Sequence, residues 1–213
     1  IGINSMLNIT IGQRNVAVGS YAMAMNHDGN PRESVDNVFI GYNSGGGSRA
    51  NASSNYNTAL GANTMDAACN GAMYNTAVGY KSLSGSTEGD YNVALGTQSL
   101  EALTTGSSNI SLGFQSLMRI VSGENNVAIG VNAADAMGVG ESENIAIGTS
   151  SLGAMDEGTA GGDIDGNIAI GHAALVGGDL ASNDRQIQDN IAIGRNALNS
   201  TSDNAQTGTI AIG

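Results

Sequence analysis

A five-residue pattern recurs eleven times along this chain of 213 residues, and it limits what the chain can fold into. Each copy reads Asn, an aliphatic residue or Thr, usually Ala, an aliphatic residue and Gly, and the last copy begins with Thr209 instead of Asn. The glycines that end the copies lie 17 to 23 residues apart. A period of this size is typical of solenoids and fibres, in which one unit is too small to fold alone. We therefore expect residues 1–213 to form a single repeat array, and the chain to be part of a longer fibre.

The alternation within each copy predicts a short β-strand, because side chains two residues apart lie on the same face of a strand. The fourth position is aliphatic in every copy, and the second is aliphatic in all copies except those with Thr58 and Thr76. We interpret these two positions as the lining of the interior. The Gly permits a sharp corner after the strand. The Leu or Met four residues later, such as Leu83, is expected to begin a second short strand.

The third position is Ala in nine copies and differs only at Phe39 and Ser111. Such uniformly small side chains indicate that something packs closely against them. Two explanations are open: a second side of the same narrow coil, or contact with neighbouring chains around a symmetry axis. The second is favoured here and predicts a trimer seam at Ala17, Ala59, Ala77, Ala94, Ala128, Ala146, Ala169, Ala192 and Ala211.

The recurring Asn and Gly residues are interpreted as structural. Stacked copies separated by about 4.8 Å would let the Asn amides form a side-chain ladder that also caps the turn. The best-defined copies contribute Asn75, Gly79, Asn92, Gly96, Asn126, Gly130, Asn144, Gly148, Asn167, Gly171, Asn190 and Gly194.

The predicted fold is therefore all-β: a repeat solenoid, a parallel β-roll or β-helix of about eleven coils, as an intertwined or side-by-side homotrimer. Aromatic residues make up 4% of the chain, which suits a narrow tube. Three buried aliphatic side chains supply about 5–9 kcal/mol per coil, whereas ordering a coil of 17 residues costs about 25 kcal/mol. Many coils must therefore stack together.

The net charge of −12, with seven Lys and Arg residues, argues against nucleic acid or an anionic membrane surface as a partner. We expect no membrane insertion, because no apolar run approaches about 20 residues. The single cysteine, Cys69, excludes an intrachain disulfide. With His27 and His172, it is not expected to form a catalytic or ligand site, and no cofactor is expected.

Variation in repeat length falls in one slot between the Leu or Met and the next Asn. The longest segments in this slot are Ala24–Asp36, Gly46–Tyr56, Gly153–Gly166 and Val176–Asp189. They are expected along one edge of the coils, either as a receptor-binding edge or as tolerated surface decoration. Asp163 and Asp165 lie in a Gly-rich acidic stretch and are weak candidates for calcium, since no EF-hand pattern and no recurring calcium repeat accompanies them.

Enzymatic classes fit the sequence poorly. The six-residue period of β-helix acyltransferases is absent, and the acidic residues are scattered over the inserts instead of paired in a groove. An ice-binding solenoid would show a recurring Thr-x-Thr ladder, which does not occur. We expect the chain not to be an enzyme.

Two strings of residues, Asn75-Thr-Ala-Val-Gly-Tyr-Lys-Ser-Leu83 and Asn92-Val-Ala-Leu-Gly-Thr-Gln-Ser-Leu100, resemble repeats of phage tail-fibre-like proteins. They are also similar to the head repeats of trimeric autotransporter adhesins. The resemblance implies a trimer of parallel β-rolls that attaches to a host-surface receptor or glycan, outside the cell, on a virion or a cell-surface appendage.

The repeats here are longer and less regular than those of adhesin heads, and no coiled-coil stalk or membrane anchor is recognisable in these residues. We therefore favour a fibre shaft that presents attachment surfaces. A bacterial surface adhesin head and a monomeric ligand-binding solenoid remain as alternatives.

Overall fold

The computed structural model describes residues 1–7, 12–24, 34–47, 52–67, 70–153, 163–177, 186–199 and 206–213. These residues form strands and turns without any helix, and they wind into a parallel β-solenoid of about eight turns. The predicted all-β repeat solenoid is confirmed. The number of eleven coils stays a prediction.

Each pentapeptide contributes one strand of three residues to a single parallel sheet of eleven strands. Neighbouring copies pair in register, so that Ala94 lies opposite Ser111. With strands numbered β1 to β14 in chain order, the sheet contains Val16–Val18 (β1), Val38–Ile40 (β2), Thr58–Leu60 (β3), Thr76–Val78 (β4), Val93–Leu95 (β5), Ile110–Leu112 (β6), Val127–Ile129 (β7), Ile145–Ile147 (β8), Ile168–Ile170 (β10), Ile191–Ile193 (β12) and Ile210–Ile212 (β14).

A second, short parallel sheet forms in the last three repeats from Ile164–Asp165 (β9), Ile187–Gln188 (β11) and Gln206–Thr207 (β13). Each of its strands lies just before the first residue of a pentapeptide, which is Asn167, Asn190 or Thr209. Ile164 and Ile187 are fully buried, whereas most other repeats have a small residue at the same position, such as Gly89 or Gly106, and one has Glu141. The two Ile side chains add core volume in their own coils.

The interior of the coil is on the opposite face of the strand from the one that we predicted. The third position is buried in β1 to β8, β10 and β12, whereas the second and fourth positions are partly or largely exposed. Ala94 has no exposed surface and Leu95 is 48% exposed. The alternation was recognised correctly, but the assignment of the two faces was wrong.

The coil of β2 shows why the inward residue is small. Phe39 replaces Ala there, and Gly45 replaces the Leu or Met that follows the turn. A Cβ atom at Gly45 would lie 2.6 Å from Cδ1 of Phe39. The third position and the Leu or Met position therefore share one space across a narrow tube, and only one of them can be large.

The Leu or Met does not begin a second strand, contrary to the prediction. Leu83 lies in a turn with φ 52°, and Lys81 of the same turn has φ 55°. The turn closes with a hydrogen bond from the amide of Ser82 to the carbonyl of Gly79, at 3.4 Å. Leu83 is fully buried and its amide donates to the carbonyl of Ser99 in the next coil, at 2.9 Å.

The glycine that ends each strand is required by its conformation and by stacking. Gly79 has φ 127°, and a Cβ atom there would lie 2.5 Å from the carbonyl oxygen of Gly96 in the next coil. A similar steric conflict recurs along the column. This close approach explains why the position does not vary.

The predicted Asn ladder is present. The side-chain oxygen of Asn75 accepts from the backbone amide of Asn92, at 2.9 Å, and the side-chain amide of Asn92 donates to the carbonyl of Gly106, at 2.9 Å. Equivalent bonds run from Asn15 to Thr209, and the ladder residues from Asn37 to Asn190 are buried. None of the described residues belongs to a helix with the length and hydrophobicity needed to cross a membrane.

Candidate interaction face

The outward side of the eleven-stranded sheet carries two parallel columns of mostly aliphatic side chains, which we call the aliphatic face. These are the second and fourth positions of every pentapeptide, and all but Thr58 and Thr76 are Val, Ile or Leu. Inward-facing Ala cannot also bury them, because successive side chains of a strand point to opposite sides. The chain alone therefore leaves a continuous apolar face uncovered.

The predicted trimer seam at the alanines is wrong. Ala59, Ala77, Ala94, Ala128, Ala146, Ala169 and Ala192 have no exposed surface within a single chain, and Ala17 retains 6%. Ala211 lies in the terminal strand β14 and is partly buried. Side chains that are enclosed by their own coil cannot contact another chain, so any association must use other residues than these alanines.

The aliphatic face is large for a surface that stays in water. Ten spacings of about 4.8 Å along the sheet and three residues of about 3.3 Å across it give a flat area of roughly 500 Å². The largest apolar patch on a typical monomer is about 300–600 Å², and patches of that size are often functional. The flat area of the aliphatic face lies in the upper part of that range, and the side chains that protrude from the sheet increase the accessible area further.

A stack of three tyrosines borders the aliphatic face on the N-terminal side of the strands. Tyr56, Tyr74 and Tyr91 each precede the Asn of their pentapeptide, and we call them the tyrosine ladder. The ring centroids are 4.8 Å apart between Tyr56 and Tyr74 and 5.0 Å apart between Tyr74 and Tyr91, with planes nearly parallel. Tyr74 is therefore covered on both ring faces, Tyr56 and Tyr91 are each covered on one, and all three side chains remain about half exposed.

A second set of aromatic residues borders the other side of the face, directly after the glycines. We call Tyr42, Tyr80 and Phe114 the second aromatic column. All three are about half exposed. Tyr21, one residue further along in its own repeat, makes an edge-to-face contact with Tyr42 at a centroid distance of 6.0 Å.

Ion pairs lie beside the aromatic residues and not on the aliphatic face, and Arg14 and Asp36 occupy the position directly before the Asn that tyrosines occupy in the next three repeats. Arg14 donates to both carboxylate oxygens of Asp36, at 2.7 and 2.8 Å, and this bond lowers the pKa of Asp36. Nζ of Lys81 lies 3.0 Å from Oε1 of Glu101. Both pairs are at least partly exposed to solvent and therefore contribute little to stability.

Partial burial affects two carboxylates at the polar edge. Burial raises the pKa of Asp66 and of Asp135 above the ordinary value. Oδ2 of Asp66 also accepts from the side-chain amide of Asn43, at 3.2 Å. Asp66 thereby connects its coil to the preceding one.

Asp165, a calcium candidate, has a structural role in the solenoid. Its Oδ1 atom accepts from the backbone amide of Ser142 in the preceding coil, at 2.6 Å, and burial raises its pKa. Asp90 does the same for the amide of Met73, at 2.7 Å. Asp163 lies on the surface two residues away. The part of the chain that the structure describes contains no group of three or more His, Cys, Asp or Glu residues able to hold a metal ion.

Much of the predicted insertions lies outside the residues that the structure describes. Residues 25–33, 48–51, 154–162 and 178–185 of the insertions Ala24–Asp36, Gly46–Tyr56, Gly153–Gly166 and Val176–Asp189 are outside them, as are His27 and Cys69, for which no site was predicted. His172 is described and is exposed, directly after Gly171.

Comparisons with known proteins add no relative. No family model, curated protein or solved structure matches this chain.

Sequence reasoning missed the tyrosine ladder, although a signal was available. The dipeptide Tyr-Asn opens three successive pentapeptides, at Tyr56, Tyr74 and Tyr91. In a solenoid with in-register stacking, identical residues at identical repeat positions lie about 4.8 Å apart, which is the distance at which aromatic rings stack.

Proposed function

We propose that this chain forms the shaft of a structural fibre of the phage tail-fibre kind, without catalytic activity. In this proposal eleven coils lie along one axis for roughly 50 Å, and three parallel chains associate through their aliphatic faces. The fibre is extracellular, on a virion or an appendage, and holds surfaces that attach to a host receptor or glycan.

The observation that supports the proposal is the uncovered aliphatic face. Covering it with two neighbouring copies would remove apolar surface from water at about 25 cal/mol per Å². A parallel arrangement suits the face, because identical strands at the same level present the same aliphatic side chains. Continuous backbone hydrogen bonds along the sheet would make the assembly stiff, and three chains would supply avidity for weak attachment contacts.

Light scattering tests the association. The wild-type chain is expected to show a mass near three times 21.3 kDa that does not change with concentration. Leu95→Lys places a charge in the middle of the aliphatic face and is expected to give monomers. Val139→Lys is the matched control, because Val139 is also exposed but does not belong to the face.

A wild-type chain that remains a monomer at every concentration would overturn the trimeric fibre and favour a monomeric ligand-binding solenoid. An unchanged mass for Leu95→Lys would show that association uses another surface. The attachment role is tested separately, by deleting the four long insertions and measuring host binding. Unchanged binding would remove the insertions as attachment sites.

A further inference from the structure

The two aromatic borders occupy defined levels along the solenoid. The tyrosine ladder precedes β3, β4 and β5, whereas the second aromatic column follows β2, β4 and β6. The coil of β4 carries both, with Tyr74 on one side of the aliphatic face and Tyr80 on the other. These two rings are 46% and 48% exposed in the single chain.

Symmetry decides which borders can meet. In a closed ring of parallel chains the lateral contact is heterologous, which means that one side of each copy meets the opposite side of the next copy. Parallel copies without an axial shift also place equal coils at equal height. Tyr74 of one chain would then face Tyr80 of its neighbour at the same height. The neighbour's Tyr42 would lie one coil toward the N-terminus from Tyr56 of the first chain, and the neighbour's Phe114 one coil toward the C-terminus from Tyr91.

Ring geometry suits this contact. The ladder tyrosines are stacked with nearly parallel planes, so they present their electropositive edges outward. Aromatic pairs prefer edge-to-face or offset arrangements over a face-to-face sandwich. An incoming ring from the second aromatic column can therefore pack its face against the ladder edges. Both faces of the Tyr74 ring are covered by its two neighbours, so this ring is poorly suited to stack flat on a sugar ring.

We propose that the tyrosine ladder of one copy packs against the second aromatic column of the next copy, closing the border of the aliphatic face. This inference rests on the proposed association of parallel chains and specifies its contacts. The occupant is a second copy because the aromatic borders are continuous with the aliphatic face, whose area calls for a partner of similar length. Tyrosine is also enriched in protein interfaces.

Oxidative cross-linking of the intact protein tests the contact. A photo-excited ruthenium complex with persulfate removes one electron from each of two tyrosines. The two tyrosyl radicals join through a new carbon–carbon bond and release two protons, while each persulfate takes up two electrons and gives two sulfate ions. Products within one chain keep the monomer mass on a denaturing gel, whereas products between chains double or triple it.

Two variants separate the borders. The ladder variant combines Tyr56→Phe, Tyr74→Phe and Tyr91→Phe, and the column variant combines Tyr21→Phe, Tyr42→Phe and Tyr80→Phe. Each keeps its ring packing but retains tyrosines on one border only, because the chain has six tyrosines. Light scattering before illumination verifies that each variant still associates.

The wild-type chain is expected to give interchain products, with a Tyr74–Tyr80 linkage identified by mass spectrometry. Both variants are expected to lose these products. Persistence of interchain products in either variant would show that like borders meet, as in an antiparallel pair, and would overturn the inference. An associated wild-type chain without interchain products would overturn the inference alone, whereas a monomeric chain would overturn it together with the proposed fibre.

Discussion

The side-chain oxygen of Asn109 accepts two hydrogen bonds from Asn126 in the next coil, one from the backbone amide and one from the side-chain amide, both at 3.0 Å. Asn126 also donates to the carbonyl of Glu141, at 2.8 Å. Each Asn thus satisfies buried backbone groups in the following coil. The ladder couples the stacking of coils to the polar groups that a narrow tube cannot expose to water.

Asn126→Ala should therefore destabilise the chain by about 2–4 kcal/mol, because it leaves buried donors and an acceptor without partners. The cost is measured as the free energy of unfolding in urea. Asn125→Ala is the control, since Asn125 is adjacent in sequence but exposed. Equal losses for the two variants would contradict a structural role of the ladder.

Gly79→Ala should cost at least about 3 kcal/mol, because a Cβ atom adds a contact with the next coil to an unfavourable φ. Gly140→Ala separates the two effects. Gly140 also has a positive φ, 92°, but a Cβ atom there meets nothing within 4 Å. The control should lose only about 1–2 kcal/mol, as measured by urea denaturation. If Gly79→Ala lost no more stability than Gly140→Ala, the close approach of the next coil would not be the reason for glycine at this position.

Ala94→Leu tests which face of the strand is interior. An extra isobutyl group in the filled tube should destabilise the folded chain by about 1–3 kcal/mol or prevent folding. Leu95→Ala, on the outward face, should change the stability of the monomeric chain by about 0.5 kcal/mol or less. The comparison is made under conditions in which both variants are monomeric by light scattering. A larger loss of stability for Leu95→Ala than for Ala94→Leu would indicate that the alanines lie on the outer face of the strand.

Left-handed backbone at non-glycine residues gives a stabilising prediction. Ser108 has φ 61°, and two of the five later repeats have Gly at the equivalent position, Gly166 and Gly208. Ser108→Gly should raise the unfolding free energy by about 0.5–1 kcal/mol, because glycine adopts this conformation without steric cost. Thr105→Gly, at an exposed site without a positive φ, should lower stability instead. A loss of stability for Ser108→Gly in thermal denaturation would contradict this explanation.

The pattern of residues was sufficient to predict the local architecture. Asn at one end and Gly at the other bound every strand of the long sheet, with Thr209 as the one exception to Asn. Recurrence at a fixed repeat position implied a ladder, and the ladder formed because parallel in-register stacking brings identical residues together. The turn at Leu83 could not be predicted in the same way, since its left-handed conformation depends on hydrogen bonds to the next coil.

The sequence by itself determined that Val93 and Leu95 share one side of a strand and that Ala94 lies on the other, because this follows from the period of the strand alone. Only the tertiary structure decided which side is interior. The tube is so narrow that the strand and the turn after it cannot both supply large side chains, as Phe39 and Gly45 show by exchanging roles. Leu83 and its equivalents fill that space, so Ala turns inward and the larger aliphatic residues remain on the outer face.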